Sequence, residues 1–517
     1  MNHSLKLRQN MYDVLISGAG PTGLALALWL TKQGNSVRII DKTAEPGTTS
    51  RAMVVQARTL ELYRQLELSD EVIAAGSTNF TMNFWVNGKR KAVVAIGDAG
   101  ADITPYPFIL TYPQDEHEKL LIKHLALLGV EVERNTELLA FEDHGDQISA
   151  RLRLVNGEEE TCTAHYLAGC DGASSKIRHD LGLGFKGGTY KQIFYVADVI
   201  LEGIEPANQV HIALDESDFV AVFPYGKEGK CRLIGILSNL DEVERSKLTF
   251  NDVSQVAIER LGINVKSVSW FSTYKVHHRI TDNFRKGSVF LLGDAAHIHS
   301  PAGGQGMNTG ISDAINLAWK LNAVIKKYAP DRLLDTYDQE RTAFAYKLVE
   351  TTDRIFTFIT TKSTFAHFVR TAIAPLFMNV AYRIDHVREY IFRMVSQTML
   401  EYCDSTLSIG KTGKIRAGER LPWVSSVQDN YTSLKQITWQ VHIYGTAKPD
   451  LKVWCNTYKI PLHEFEWLPA HQNAGLVHDA LYLLRPDTYI AFTDAQGSAQ
   501  AVSEYFNLQG YDLKKVN

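Results

Sequence analysis

Cysteine is scarce in this chain, with five residues among 517 and none in a CxxC pair. Cys162, Cys170, Cys231, Cys403 and Cys455 are odd in number and lack metal-type spacing. A disulfide framework and a cysteine-based zinc site are therefore not expected. We predict reduced, structural thiols in a cytoplasmic protein that holds no metal.

The chain also lacks an excess of one charge and a long hydrophobic run. Its 54 Lys and Arg against 58 Asp and Glu give a net charge of −4, without a basic run, which argues against nucleic acid or an anionic membrane as partner. The longest apolar region, 355–383, is interrupted by Lys362, His367 and Arg370, so it does not match a membrane span. The opening MNHSLKLRQN has no apolar signal-peptide core. Secretion is not expected.

A glycine-rich turn near the N-terminus is the first positive signal. Tyr12–Ser17 reads as a strand, GAGPTG follows at 18–23, and 24–33 reads as a helix. A further strand over 36–40 ends at Asp41, 18 positions after the last glycine. In this context GxGxxG predicts a dinucleotide site, although a glycine turn in an ordinary βαβ unit is the simpler alternative.

Each residue type in this turn has a physical role. Gly18 permits the turn, Gly20 lets a pyrophosphate approach the backbone, and Gly23 lets helix and strand pack closely. Asp41 would accept hydrogen bonds from the adenosine ribose. The neighbouring residues Pro21, Thr22 and Lys42 complete the predicted cofactor contacts of this segment.

A second signature lies at 287–321, GSVFLLGDAAHIHSPAGGQGMNTGISDAINLAWKL. The apolar run 289–292 predicts a buried strand, and Gly293 and Asp294 follow at its carboxyl end, where a carboxylate can accept from sugar hydroxyls. Gly304 and Gly306 let the backbone approach a ligand. The helix predicted from Gly306 starts with unpaired N–H groups that suit the N1–C2=O edge of a reduced flavin.

A third segment, 166–185, reads YLAGCDGASSKIRHDLGLGF. It predicts another short strand that ends at Asp171 and Gly172, followed by Ser175 and Arg178 at helical spacing. Taken alone, this segment fits any strand-to-helix turn.

In this order, the three segments resemble those of the class A FAD-dependent aromatic monooxygenases, of the para-hydroxybenzoate and phenol hydroxylase type. Asp171, Gly172, Ser175 and Arg178 match the DGxxSxxR motif of that family, and Gly293-Asp294 matches its GD motif. The resemblance covers residues 12 to about 345.

The resemblance extends to further cofactor contacts. Six residues fall on the continuation of the GD motif, namely Pro301, Gly304, Gln305, Gly306, Met307 and Asn308. Arg51 and Gln114 look like the family's flavin-contacting arginine and glutamine. His297 matches the family's DAAH pattern, and we expect it to hydrogen-bond and shape the turn.

The resemblance implies a noncovalent FAD, reduction by NAD(P)H and a flavin C4a-hydroperoxide formed with O2. This species would hydroxylate a phenolic or polycyclic aromatic substrate. A reductase or dehydrogenase of the same fold, without oxygen insertion, is the alternative, and a flavin-binding sensor is a more distant one. No second GxGxxG segment both follows a predicted strand and opens a predicted helix, so the nicotinamide must dock transiently near the flavin.

The sequence does not assign a general base. A phenolic substrate must lose its proton, and a base or a proton relay is expected. Tyr195, His211 and Tyr225 are candidates in the substrate region, but each also fits a packing role.

The chain length and the change in predicted strand and helix pattern along the sequence predict several domains. The expected fold is α/β: a Rossmann-like FAD-binding domain from residues 1–189 and 276–345, with an inserted antiparallel substrate-binding sheet over 190–275. A helical segment would span 346–409. Residues 410–517 resemble the thioredoxin-like C-terminal domain of the phenol hydroxylases, with a packing or dimer-contact role because this region has no CxxC. A monomer or a homodimer is compatible with the sequence.

Overall fold

The computed structural model describes residues 11–47, 52–203, 209–214, 219–226, 228–237, 248–253, 255–300, 304–360, 384–424 and 428–514. Within these residues the fold is a mixed α/β architecture with two sheets of eight strands. Two of the predicted cofactor contacts, Arg51 and Pro301, lie outside the described residues.

The first large sheet, here called the nucleotide sheet, carries the predicted dinucleotide motifs. Its main path is β17-β18-β11-β1-β2-β8, with β10 and β9 added beside β11. The neighbours β18, β11, β1, β2 and β8 pair in parallel, and β1 and β2 are largely apolar and buried. The strands are β1 (Tyr12–Ser17), β2 (Val37–Asp41), β8 (Val132–Arg134), β9 (Glu137–Asp143), β10 (Ile148–Arg153), β11 (Glu159–Gly169), β17 (Arg285–Lys286) and β18 (Val289–Leu291).

The second large sheet, here called the substrate sheet, has the order β19-β16-β12-β15-β14-β13-β5-β6. All of its pairs are antiparallel except β13 with β5. Its strands are β5 (Thr81–Val86), β6 (Lys89–Ala95), β12 (Phe185–Glu202), β13 (Gln209–Leu214), β14 (Phe219–Pro224), β15 (Lys230–Leu237), β16 (Asn264–Thr281) and β19 (His297–Ile298). It therefore draws β5 and β6 from residues 81–95 and β19 from the GD segment, in addition to the region around 190–275.

The smaller strand groups complete the fold. A three-stranded sheet joins β3 (Val54–Val55), β7 (Ile109–Thr111) and β4 (Ser77–Asn79), and a short hairpin joins β20 (Lys411–Thr412) to β21 (Ile415–Arg416). The C-terminal sheet has the order β23-β22-β24-β25, from Leu462–Phe465, Gln440–Tyr444, Leu481–Leu484 and Ile490–Asp494. Only β22 and β23 run parallel in it.

The α-helices connect and cover these sheets. They are α1 (Pro21–Lys32), α2 (Ala57–Tyr63), α3 (Ser69–Ala75), α4 (Ile96–Gly100), α5 (Gln114–Leu127), α6 (Lys176–Asp180), α7 (Gln255–Arg260), α8 (Gly306–Ile325), α9 (Asp335–Thr360), α10 (Asp385–Val395), α11 (Pro449–Thr457), α12 (Pro469–Asn473) and α13 (Ala499–Gln509). Over the ranges given above, none of the helices has the length and apolar character needed to cross a membrane.

The turn between β24 and β25 contacts helices α2 and α9 through buried charged side chains. Arg485 and Glu340 are both fully buried, and Arg485 Nη1 and Nη2 donate to Glu340 at 2.8 and 3.0 Å. Arg58 on α2 donates to the Asp487 carbonyl at 3.0 Å and to Thr488 Oγ1 at 2.8 Å. The C-terminal sheet is thus joined to α2 and α9 by charged hydrogen bonds as well as by apolar packing.

Candidate cofactor and substrate site

The three predicted motifs meet at one edge of the nucleotide sheet. β1 lies beside β11, and β11 lies beside β18, with Ser17 opposite Gly169 and Gly169 opposite Leu291. Because these strands are parallel, the residues that follow them emerge side by side. The turn after β1, the DG segment after β11 and the GD segment after β18 therefore share one crevice.

The glycines of the first turn divide into two kinds. A Cβ on Gly18, whose φ is +107°, would lie 2.2 Å from the Cys170 carbonyl oxygen, and one on Gly23 would lie 1.9 Å from the Gly18 carbonyl oxygen. These two glycines permit close backbone packing. A Cβ on Gly20 would meet no heavy atom within 4 Å. The open space beside Gly20, at the N-terminus of α1, fits a pyrophosphate.

Asp41 lies at the end of β2 and shapes the same crevice. Its Oδ2 accepts the Ala19 backbone N–H at 2.7 Å, and its Oδ1 accepts from the backbone N–H and the hydroxyl of Thr43 at 2.8 Å. A carboxylate has about four lone-pair positions, so capacity remains for a ribose hydroxyl. The residue thus fits the predicted ribose contact.

The GD segment is held by a buried aspartate that the sequence analysis did not single out. Gly293 donates its N–H to Asp313 Oδ2 at 2.9 Å, and the Asp313 carboxylate also contacts Arg341 Nε at 2.6 Å and His297 Nε2 at 2.8 Å. Burial opposes ionisation, but Arg341 and His297 hold the pKa of Asp313 below its usual value. Asp294 itself is exposed at the turn, where it can meet a ligand.

Asn308 is committed to protein contacts. Its Nδ2 donates to the carbonyl oxygens of Val54 at 2.8 Å and Gly304 at 3.0 Å. Its Oδ1 accepts from the Gln56 N–H at 2.9 Å and from the Thr59 hydroxyl at 2.8 Å. These four bonds use the whole capacity of the side chain. Asn308 could therefore contact a flavin only through its backbone.

Neighbouring residues of the same segment lie at the start of α8. Gly306 begins the helix, Met307 is buried, and the Gln305 side chain donates toward the Met394 and Val395 carbonyl oxygens at 3.4 and 3.3 Å. The helix N-terminus is thus anchored next to the crevice.

The DG segment is tied to the GD segment by an arginine. Asp171 Oδ2 accepts the Ile177 N–H at 3.2 Å, and Ser175 Oγ accepts the Arg178 N–H at 3.0 Å. Arg178 Nη1 donates to the Ala295 carbonyl oxygen at 2.9 Å. Nothing lies within 4 Å of a Cβ on Gly172, whose φ is +77°. Asp171 and Arg178 therefore support the crevice.

Gln114 begins α5 and lies next to the segment that precedes β3. Its backbone N–H donates to the Ala52 carbonyl oxygen at 3.1 Å, and its side chain donates to Glu118 at 2.8 Å. The same Ala52 carbonyl oxygen lies 3.4 Å from Arg232 Nη1 on the substrate sheet. Gln114 thus lies between the segment before β3 and the substrate sheet.

The two faces of the substrate sheet have different surroundings. One face, with Tyr195 and Leu233 at its centre, packs in an apolar cluster with α7. On the other face, Asp198 lies opposite both Arg232 and Trp270, and Arg232 lies opposite Phe223. We call this second face the inner face, because Phe223 and Tyr225 on it pack against the apolar core around the nucleotide sheet. We call that core and the nucleotide sheet together the nucleotide part.

A buried ion pair lies at the centre of the inner face. Arg232 Nε and Nη2 donate to the two Asp198 oxygens at 2.7 Å each, and the Arg232 side chain is 2% exposed. Arg232 also lies 5.7 Å from the centre of the Trp270 ring and 6.0 Å from that of Tyr225. The inner face therefore combines aromatic surface with a fixed polar centre.

The three candidate bases fall on different faces. Tyr195 is fully buried in the cluster with α7, and His211 lies opposite Val222 of that cluster, with Nδ1 accepting from Trp85 Nε1 at 3.1 Å. Both therefore have packing roles. Tyr225 alone of the three lies toward the nucleotide part, where burial and the Asp198 carboxylate raise its pKa.

The described residues contain one grouping with metal-type ligands, in the segments that flank the β20–β21 hairpin. Ligand atoms of Glu401, Cys403 and Glu419 are within 4.8 Å of one another. All five cysteines of the chain are free thiols.

Comparisons with known proteins agree with this geometry. The model of a family described as FAD binding domain matches residues 11–352. The 6-methylpretetramide 4-monooxygenase of Streptomyces rimosus is 35% identical over 420 residues, covering 78% of this chain and 72% of that protein. A flavin-dependent monooxygenase of Mycobacteroides abscessus is 30% identical over 510 residues, 95% of this chain and 98% of the other. The structure of an anhydrotetracycline hydroxylase from Streptomyces rimosus superposes with a TM-score of 0.76 at 28% identity, covering 96% and 99% of the two chains.

Proposed function

The chain belongs to the FAD-dependent aromatic monooxygenases, and we propose that it hydroxylates a polycyclic phenol bound between the inner face of the substrate sheet and the flavin. The observation that carries this proposal is the inner face itself, where the Asp198–Arg232 pair and Tyr225 lie among aromatic side chains. The names of two relatives refer to polycyclic, oxygen-rich compounds of the tetracycline type.

We propose that different residues of the crevice bind different parts of FAD. Gly20 and the N-terminus of α1 would bind the pyrophosphate, Asp41 the adenosine ribose, and Asp294 a sugar hydroxyl. The N-terminus of α8 at Gly306 would face the pyrimidine edge of the flavin. When bound, FAD supplies hydride acceptance from NAD(P)H and the activation of O2.

The residues of this chain would orient the substrate. A flat ring system would stack on the aromatic surface around Trp270 and Phe223, which also excludes water. Arg232 and Tyr225 would contact substrate oxygens. Burial and the Asp198 carboxylate raise the pKa of Tyr225, so this phenol stays protonated and donates its O–H to Asp198. Its oxygen would accept a hydrogen bond from a substrate hydroxyl.

We further propose that residues 410–517 form a thioredoxin-like domain whose role is structural. Support comes from the fully buried Arg485–Glu340 contact and from the Arg58 contacts with Asp487 and Thr488. Cys455 is the one cysteine in residues 410–517, and its side chain is buried. Burial raises the pKa of this thiol to about 12, which suppresses thiolate chemistry.

An isotope experiment tests the proposed function. The holoenzyme is incubated with NADPH under ¹⁸O2 and a panel of monocyclic phenols and tetracyclic or anthraquinone phenols. We expect one labelled oxygen in a polycyclic product and a lower yield with Tyr225→Phe, while Tyr195→Phe on the other face serves as the matched control. A reduced product without label would instead favour a reductase.

A further inference from the structure

A cavity of about 500 Å³ lies where α1 and α8 meet the segments that flank the C-terminal sheet. Its wall is formed by the end of α1, the C-terminal half of α8, the turn between β24 and β25 and the loop before β22. Sites for small molecules commonly enclose about 300–1,000 Å³, so this cavity has the size of a ligand site. Among the described residues, none of the predicted cofactor contacts and no residue of the substrate sheet lines it.

Two helices separate the cavity from the cofactor crevice. α1 starts beside Gly20 and reaches the cavity at Lys32, and α8 starts at Gly306 and reaches it at Trp319. At about 1.5 Å per residue, these distances are about 18 Å along α1 and about 20 Å along α8. A molecule in the cavity would therefore leave free the places proposed for the pyrophosphate and the flavin.

Part of the cavity wall is an aromatic surface that the protein holds in place. Four rings contribute to it, those of Trp319, Tyr328, Trp439 and Tyr511. The centre of the Trp439 ring lies 5.8 Å from that of Trp319 and 5.4 Å from that of Tyr511, both edge to face. Trp319 Nε1 also donates to Asp487 Oδ2 at 2.9 Å. This fixed surface suits a flat ring system.

The charged side chains of the wall are both cationic. Lys32 and Lys435 line the cavity, whereas none of its lining residues in the described ranges is acidic. Neither lysine is in an ion pair or a side-chain hydrogen bond within the part of the chain that the structure describes. Lys32 lies in the last turn of α1, where it offsets the negative end of the helix dipole. Lys435 is therefore the stronger attraction for an anion.

The chemistry of the wall narrows the class of ligand. A cation would be repelled by both lysines. A phosphate favours the free N–H groups of a helix N-terminus, but α1 presents its C-terminal end here. Near pH 7 a carboxylic acid, with a pKa of about 4, is ionised, whereas a simple phenol, with a pKa of about 10, is neutral. The anion that fits best is thus a carboxylate on a flat ring.

We propose that this cavity is a second ligand site, which binds a planar aromatic carboxylate. The ring would pack against the aromatic surface around Trp439, and the carboxylate would lie toward Lys435. This site goes beyond the proposed hydroxylation, because its ligand reaches neither the flavin nor the inner face of the substrate sheet.

The test titrates 2-naphthoate into the FAD-loaded enzyme at low ionic strength and follows tryptophan fluorescence, since Trp319 and Trp439 line the cavity. We expect saturable quenching, and weaker binding of the uncharged 2-naphthamide. Lys435→Gln should raise the Kd for 2-naphthoate about two- to fivefold, the effect of a partly screened ion pair, and Lys32→Gln should raise it less. Lys411→Gln, at an exposed lysine that does not line the cavity, is the matched control and should leave the Kd unchanged.

A cavity-filling variant tests the position of the ligand. Thr438 is half-buried and lines the cavity, so the ring of Thr438→Phe would occupy the place of the ligand. We expect this variant to lose the saturable quenching and to keep its FAD affinity, while Thr438→Ser binds 2-naphthoate as the wild type does.

Three results would overturn the site. They are no saturable quenching in the wild type, an equal Kd in the wild type, Lys435→Gln and Thr438→Phe, or binding that shifts the flavin absorbance and so places the probe at the flavin. Equal affinity for 2-naphthoate and 2-naphthamide would overturn the selectivity for a carboxylate. None of these measurements uses NADPH or O2, so a failure of the proposed hydroxylation would not be mistaken for a failure of the site.

Discussion

The open space beside Gly20 makes a sharp prediction about cofactor binding. Gly20→Val should weaken FAD binding strongly while leaving the apoprotein folded. Gly20 has φ −77° in extended backbone, which valine adopts, and its Cβ would meet no protein atom within 4 Å. The added methyl groups would instead occupy the place of the pyrophosphate.

The magnitude follows from the bonds that the pyrophosphate would lose. A hydrogen bond to a charged group contributes about 1.5–3 kcal/mol, so two of them contribute about 3–6 kcal/mol. At about 1.4 kcal/mol per factor of ten, FAD affinity should fall about 10²- to 10⁴-fold. Titration of apoprotein with FAD, followed by flavin fluorescence, measures this change.

Gly23→Ala is the contrasting variant. Its Cβ would lie 1.9 Å from the Gly18 carbonyl oxygen, which is backbone and cannot move aside cheaply. This variant should lower the free energy of unfolding of the apoprotein, measured by urea denaturation with circular dichroism. If Gly20→Val bound FAD within threefold of the wild type, the pyrophosphate would lie elsewhere and this interpretation of the loop would be refuted.

Four further predictions concern the crevice, the core and the catalytic cycle. Asp294→Ala should lower FAD affinity by about 1.5–3 kcal/mol, and an unchanged affinity with a lost pH-dependent step would make Asp294 an acid or base instead. Arg485→Met should lower the free energy of unfolding by about 3–5 kcal/mol, because the buried carboxylates of Glu340 and Asp487 lose the guanidinium that they share, and a loss below about 1 kcal/mol in urea denaturation would contradict this. Burial lowers the pKa of His117 to about 4, so the unfolded state binds more protons between pH 6.5 and 4 and stability should fall by about 3 kcal/mol across that range. His117→Gln should flatten this pH profile, and a profile as steep as that of the wild type would assign the effect to other groups. A confirmed aromatic substrate should accelerate flavin reduction in anaerobic stopped flow, and equal rates with and without it would argue against substrate gating.

Local pattern was enough to predict the nucleotide sheet and its turns. Tyr12–Ser17 is a strand, as predicted, and helix α8 begins at Gly306. Both follow from short-range rules: apolar runs bounded by glycine form buried strands, and the positions of Gly18, Gly20 and Gly23 fix the geometry of the turn. The aromatic monooxygenase family was likewise recognisable from the three motifs, and the FAD binding domain match over residues 11–352, together with relatives named as monooxygenases, confirms it.

Contacts between distant segments were beyond the sequence, because side-chain pattern does not encode which elements meet. Asp313 is one of several polar residues on α8, and only the approach of Arg341 and Gly293 shows that it holds the GD segment. The addition of 81–95 to the substrate sheet is similarly a matter of strand pairing across the chain.

The turns and the cofactor family follow from local sequence, because a tight turn and a close phosphate approach demand glycine at set positions whatever surrounds them. Which polar side chains meet depends instead on how distant segments pack in the folded chain. Tyr195 and Tyr225 look alike in sequence, yet the pairing of strands sends one into the cluster with α7 and the other toward the nucleotide part. A strand presents alternate residues to opposite faces, so the face that meets the cofactor is set by the packing of the sheet and not by the strand.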